Sequence, residues 1–114
     1  MAKVVHFEIM ATDGEAAQRF YAGLFDWKIN SDNPMGYGIV EGGDGGIGGG
    51  ITGGDHNAAT FYVAVDDLDA TLRKVESLGG NVVVPVTVVP DMVTFAQIAD
   101  PFGNVIGLVK GDGA

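Results

Sequence analysis

The stretch "GDGGIG" (43–48) matches G-x-G-x-x-G, the fingerprint of a dinucleotide site. Strand-like "YGIVE" (37–41) precedes it, and Asp66 and Asp67 stand roughly 20 residues on, where the ribose-binding acid belongs. A helix must follow such glycines directly, because its N-terminus holds the pyrophosphate. Here the chain continues "GGITGGDHNAAT" (49–60), and residues 42–54 hold nine glycines. Each costs about 1 kcal/mol in a helix interior, so no helix starts there. A phosphate-binding P-loop fails as well, for want of "GK[ST]". That leaves 46–51 as a glycine-rich strand with Ile47 and Ile51 on one face, and 52–58 as a flexible linker. Glycine inside a strand admits a second backbone or a ligand at close range.

Around this strand the chain reads as one module stated twice. "KVVHFEIMA" (3–11) alternates, with Val5, Phe7 and Ile9 on one face and His6, Glu8 and Met10 on the other. Thr12 with Glu15 reads as a capping box, opening a helix whose stripe is Ala17, Phe20, Tyr21 and Leu24 and which ends near Phe25. "DWKIN" and "GYGIVEG" follow as short strands around the turn "SDNPMG". The second half begins with "ATFYVAVDD" (59–67), placing Phe61, Val63 and Val65 on one face and Thr60, Tyr62 and Ala64 on the other. Asp66 or Asp67 caps a helix carrying Leu68, Leu72, Val75 and Leu78, closed by the glycines at 79–80. "NVVVP" is a strand, and "VTFAQIA" and "NVIGLVK" form a hairpin across "DPFGN". Phe7 matches Phe61, Ile9 matches Val63, Asp13 matches Asp67 and Leu24 matches Leu78, each 54 residues apart. The expected fold is therefore α+β: two βαβββ modules in tandem, forming a cupped eight-stranded mixed sheet with two helices outside. The 114 residues make one domain, with module one at 1–52, a linker at 53–58 and module two at 59–114.

Composition excludes several functions. Six basic residues against fifteen acidic give a net charge of −9, without the Lys/Arg clusters that phosphate backbones require, so no nucleic-acid partner is expected. An anionic surface mildly favours cationic ligands but first of all serves solubility. The absence of cysteine removes disulfides and thiolate sites. No apolar run reaches membrane-spanning length, and His6 and Glu8 interrupt the first strand in a way a signal peptide does not. A soluble, cytoplasmic protein is the expectation.

The stretches "VHFEIMATDGEAAQRFYAGLFDW", "YVAVDDLDATLRKVESLGGNVVVP" and "FAQIADPFGNVIGLV" resemble the vicinal oxygen chelate superfamily, which includes glyoxalase I, bleomycin-resistance proteins and extradiol dioxygenases. "GIGGGI" and "DPFGNVIGL" look most like its small glyoxalase-like bacterial members. The resemblance implies a metal centre in some members, built from an early His on the first strand, a second His opening the fifth strand and a Glu on the last. At those positions this chain has His6, Thr60 and Gly107, and no acid lies between Gly45 and Gly54, where glyoxalase I carries a further carboxylate. Divalent ions of this class need three or more protein ligands. No metal or other cofactor is expected, and His6 with Glu8 reads as a hydrogen-bonded polar pair. His56, in the linker, reads as solvated.

The expected ligand-binding residues, lining a cleft between the modules, are His6, Glu8, Trp27, Tyr37, Thr60, Tyr62, Phe95 and Gln97, with Trp27 and Tyr37 equally readable as core. Two functions follow: a metal-free protein binding a small, partly aromatic molecule, or an enzyme of the same superfamily (lyase, isomerase or dioxygenase), using a rebuilt metal site or the acid–base pair His6–Glu8. A homodimer is expected, since pairing would cover exposed sheet edges. If the alignment holds, Thr60→His with Gly107→Glu should rebuild a three-ligand set.

Overall fold

Each helix starts where an aspartate releases its side chain to the backbone. In the computed structural model, which describes residues 2–111, Asp13 accepts from the Ala16 N–H and Asp67 from the Ala70 N–H, both at 3.0 Å. These caps open α1 (Gly14–Phe25) and α2 (Leu68–Ser77). They lie 54 residues apart, in step with the repeat. Thr12, expected to cap α1, falls one residue short: Asp13 has the extended backbone and the carboxylate that the free N–H groups need. At the other end of α2, Gly80 N–H bonds the Val75 carbonyl at 3.0 Å and Gly79 N–H the Glu76 carbonyl at 3.2 Å, with Gly79 at φ 93°. Only a residue without a Cβ adopts that backbone without strain.

The strands are β1 (Lys3–Ala11), β2 (Ile29–Asn30), β3 (Gly38–Val40), β4 (Gly48–Gly53), β5 (Ala58–Val65), β6 (Asn81–Val89), β7 (Val93–Ala99) and β8 (Val105–Lys110). The order strand, helix, three strands thus occurs twice, giving the expected α+β architecture with eight strands of mixed direction and two helices. The chain divides into two compact units, one of residues 6–60 and one of residues from 61 onward together with the start of β1.

In the first unit the strand order is β2-β3-β4-β1, with β1 and β4 parallel and the other pairs antiparallel. The register sets Phe7 beside Gly49, Glu8 beside Gly50 and Ile9 beside Ile51. The glycine strand begins at Gly48 rather than 46 and runs on to Gly53, into the stretch expected as linker. Ile47 lies outside it and is exposed, whereas Ile51 is fully buried, so the two do not share a packed face. The turn at Gly45, with φ 78°, takes up the residues before the strand. The connection after β4 is tied down: Gly54 N–H bonds the Ala11 carbonyl and Thr12 N–H bonds Asn57 Oδ1. No residue of α1 is buried.

The second unit repeats the order as β5-β8-β7-β6, with β5 and β8 parallel. Alternation along its strands separates two packed groups. Leu68, Ala96, Ile98 and Leu108 form one, with Val63, Val65, Leu72 and Val75 of β5 and α2 against them. Tyr62, Ala64 and Val109 form the other, joined by Phe95 and by Val5, which sits on the part of β1 belonging to this unit. β6 outruns the expected "NVVVP" by four residues. It lies at the sheet edge and shifts register between Val82 and Val84 and again between Val84 and Thr87, a step that spans Pro85, where a residue without an N–H is tolerated. The β7–β8 turn hangs on Asp100: Phe102 N–H, Asn104 N–H and Asn104 Nδ2 all donate to its carboxylate at 2.9 Å. Those bonds, led by the Asn104 side chain, hold the Asp100 carboxyl below its usual range. Phe102, at the tip, is 89% exposed.

Candidate functional site

β1 places His6, Glu8 and Met10 on one face by simple alternation. The 31–37 loop then brings Tyr37 over that face. Its hydroxyl lies 2.8 Å from His6 Nε2 and donates to Glu8 Oε1 at 3.0 Å. Because the phenol proton goes to Glu8, His6 must supply the other hydrogen from Nε2, which fixes the Nε2–H tautomer of a neutral imidazole. Burial lowers the His6 pKa from its ordinary 6.5, opposed by the nearby Glu8 charge. All three side chains are half-buried.

The glycine strand explains why Tyr37 fits. A Cβ on Gly50 would stand inside the Tyr37 ring, and one on Gly49 inside the Phe7 ring. The close approach anticipated for strand glycines is therefore made by the chain's own aromatic rings. Asn33 holds the loop: its Oδ1 accepts from Tyr37 N–H at 3.0 Å and Met35 N–H at 3.2 Å, and its Nδ2 donates to the Tyr37 carbonyl at 2.7 Å. Gln18, from α1, donates to the carbonyls of Ile51 at 2.8 Å and Gly36 at 3.3 Å. Sequence reading missed Asn33 and Gln18. "SDNPMG" carried a turn signal, but nothing in it told which backbone groups Asn33 meets. Gln18 sits beside the apolar stripe of α1 and reads as a solvated position.

In the second unit Tyr62 is buried, its hydroxyl accepts from Gln97 Nε2 at 3.0 Å, and its ring meets Phe95 edge-on at 6.2 Å between centroids. A Cβ on Gly107, the register partner of Tyr62, would stand inside the Tyr62 ring. The structure thus assembles two groups from the expected residues, His6–Glu8–Tyr37 and Tyr62–Phe95–Gln97. Trp27 joins neither. It packs with Phe7, Tyr21 and Phe25 at centroid distances of 5.6, 6.3 and 4.9 Å, an aromatic cluster that includes two α1 side chains. Thr60 is half-buried in β5, 54 residues after His6. His56 is exposed and lies 2.7 Å from Asp55, through Nδ1. A separate cavity of about 490 Å³ opens at the start of α2, lined by Lys3, Asp66, Asp67 and Thr71 among others, and takes in none of the expected site residues.

Two βαβββ modules, each with its first and last strands paired in parallel and a polar or aromatic group over a strand glycine, define the class of protein. The chain belongs to the Glyoxalase/Bleomycin resistance protein/Dioxygenase superfamily, whose model matches residues 3–108. It is 33% identical over 117 residues to mycobacterial proteins named "Putative glyoxylase CFP32", from Mycobacterium tuberculosis and Mycobacterium bovis. The match covers 89% of this chain and 42% of theirs, so the chain spans about two fifths of the length of these relatives. Among solved structures, a superfamily member from Vibrio splendidus superposes with a TM-score of 0.66 at 15% identity, covering 97% of this chain and 100% of that one. Methylmalonyl-CoA epimerase from M. tuberculosis superposes with a TM-score of 0.65 at 18% identity, covering 94% and 86%. At such identities the likeness is one of fold, and function must be argued from the site.

The side chains present do not fit the superfamily's metal centre. Thr60 and Gly107 supply neither imidazole nor carboxylate, and the Tyr62 ring fills the space that a longer residue at 107 would need. Among the described residues no three His, Asp or Glu side chains converge to share an ion. Among the same residues no helix is long and apolar enough to cross a membrane.

Proposed function

We propose that this chain binds a small, partly aromatic molecule without a metal, in the cytoplasm, and that His6, Glu8 and Tyr37 make its polar contacts. The observation carrying this reading is the Tyr37 hydroxyl joined to both His6 and Glu8 over Gly50. A neutral imidazole, a phenol and a carboxylate offer donors and acceptors in a fixed arrangement, and the His6 and Tyr37 rings offer flat apolar surface. Bleomycin-resistance proteins of the superfamily are the nearest functional analogy for such a site. Tyr62, Phe95 and Gln97 in the second unit, and Thr60 and Trp27 in the first, are separate candidates for ligand contact. We also propose a homodimer, supported by the large exposed side chains of α1, among them Phe20 at 60% and Leu24 at 58%.

Metal analysis of protein purified without chelator tests the first part, with far less than stoichiometric transition metal expected. One equivalent per chain would reverse it. NMR screening of a library of small aromatic amides and amines tests the second. At least one compound should move the signals of His6, Glu8 and Tyr37 together, and binders that move only other residues would sink the assignment. Sedimentation at micromolar concentration checks the dimer, which a monomeric mass would rule out.

A further inference from the structure

The loop that carries Tyr37 is built more elaborately than a connection between two short strands needs. β2 has two residues and β3 has three, so sheet pairing alone does little to hold the segment between them. Asn33 spends its whole side-chain amide on that segment, accepting from Met35 and Tyr37 and donating back to Tyr37. Its own carbonyl accepts from Gly36 N–H at 3.1 Å, and Gly36 turns the chain at φ 63°, a conformation that suits glycine. Gln18 bridges the same loop to β4 by donating to Gly36 and Ile51. Beneath the ring, Gly50 leaves a space that even a methyl group would fill. Backbone, side chain and floor all constrain one phenol.

We infer that Asn33, backed by Gln18 and Gly50, is a positioning residue that holds the Tyr37 hydroxyl between His6 and Glu8, so that a ligand meets the three groups already assembled. The inference rests on the binding reading above for its purpose, but its geometry is a property of the ligand-free protein. Preorganisation of this kind raises affinity by removing the cost of ordering side chains on binding.

The imidazole tautomer of His6 tests it, read from long-range proton–nitrogen NMR correlations at a pH where the ring is neutral. His56 serves as internal reference, since it meets Asp55 through the other ring nitrogen. Wild-type His6 should show one tautomer, protonated at Nε2. Tyr37→Phe should weaken that preference while keeping the fold. Asn33→Ala should do the same from a distance, giving a mixture of tautomers, and Gln18→Met should give a smaller mixture. Asn33→Asp keeps the two accepting bonds and loses the donated one, so it should fall between wild type and Asn33→Ala. A merely structural Asn33 would lower the melting temperature and leave the tautomer alone. A folded Asn33→Ala with the wild-type His6 spectrum overturns the inference. If that variant does not fold, an unchanged His6 spectrum in both Asn33→Asp and Gln18→Met overturns it instead. Failure of every aromatic probe to bind, with the tautomer results as expected, would remove the binding reading and leave the positioning role standing.

Discussion

The two halves repeat one plan and use it differently. The second half packs two groups of buried side chains on its sheet, one against α2 and one around Tyr62. The first half has only Val40 and Ile51 among its buried apolar residues, and α1 buries nothing. What the first half has instead is a polar triad on a glycine floor. The corresponding floor in the second half, Gly107, lies under Tyr62, whose hydroxyl is held by Gln97 inside a packed group. One plan thus serves two ends: the second half packs apolar side chains where the first holds a hydrogen-bonded polar triad.

Core truncation should separate the halves most strongly. Leu68→Ala removes a buried side chain from the α2 cluster and should cost about 2–5 kcal/mol in denaturant unfolding. Phe20→Ala, on the exposed side of α1, should stay within roughly 0.5 kcal/mol of wild type in the monomer. Comparable losses at both positions would break the contrast, and a loss at Phe20 that grows with protein concentration would place that side chain in the dimer.

Glycine substitutions sharpen it next. Gly50→Ala and Gly107→Ala each drive a methyl into a tyrosine ring, an overpacking that typically costs about 1–3 kcal/mol. Gly50→Ala should also disturb the His6 signal, because the Tyr37 hydroxyl that it displaces lies 2.8 Å from His6 Nε2. Combining it with Tyr37→Ala should recover part of the loss, the mark of two residues that share one volume. The same logic bears on rebuilding a metal site. Gly107→Glu beside Thr60→His should not bind zinc by calorimetry while the Tyr62 ring stands over position 107, and zinc binding by that double variant would show the ring moves aside easily.

Much of the fold was legible because it follows from short-range rules. Alternation in "KVVHFEIMA" and "TFYVAV" set the faces, Asp67 and the glycine pair at 79–80 bounded α2, and "DPFGN" made its hairpin. Thr12 reads as the cap because a capping box and an aspartate cap one residue on have overlapping signatures. Ile47 reads as part of the strand because glycines show no periodicity from which to place a strand end. His6 and Glu8 were legible as a pair, two residues apart on one strand. Their link through Tyr37 was not, because it depends on a loop fold set by Asn33 and on the space above Gly50, both long-range facts. Trp27 shows the reverse: an aromatic near the end of a helix is chemically plausible in a site, and only the three rings around it reveal the company it keeps.

The helix caps offer a finer comparison. Asp13→Ala and Asp67→Ala should each cost about 1 kcal/mol, since each removes one bond to an otherwise unpaired helix N–H. The two losses need not be felt alike. Fraying of α2 loosens Leu68 within the core, whereas fraying of α1 disturbs a helix with nothing buried. Hydrogen exchange should therefore show Asp67→Ala spreading into β7 and β8, and Asp13→Ala confined to α1 and to the β4 and 31–37 backbone that Gln18 holds. Thr12→Ala should be nearly silent.

The smallest effect expected is on pH dependence, where His6 and the two aspartates act in different windows. His6 has a folded pKa lowered by burial. The folded state therefore binds fewer protons than the unfolded chain as the pH falls below the ordinary value of 6.5, and acidification costs stability there. The contribution is complete above 6.5 and is lost progressively as the pH drops toward and through the folded value. Asp100 also has a lowered folded pKa, held by Asn104 and its turn, so its contribution is present above 3.8 and lost only as the pH falls through the folded value beneath it. Asp55, exposed beside His56, falls in the same lower window. A plot of melting temperature against pH should show two acid limbs. His6→Gln should flatten the upper one and leave the lower, while Asp100→Asn should weaken the lower, to which Asp55 also contributes, and leave the upper. An upper limb that survives His6→Gln would mean that another group titrates there and that burial of His6 matters less to the fold than its place beside Tyr37 implies.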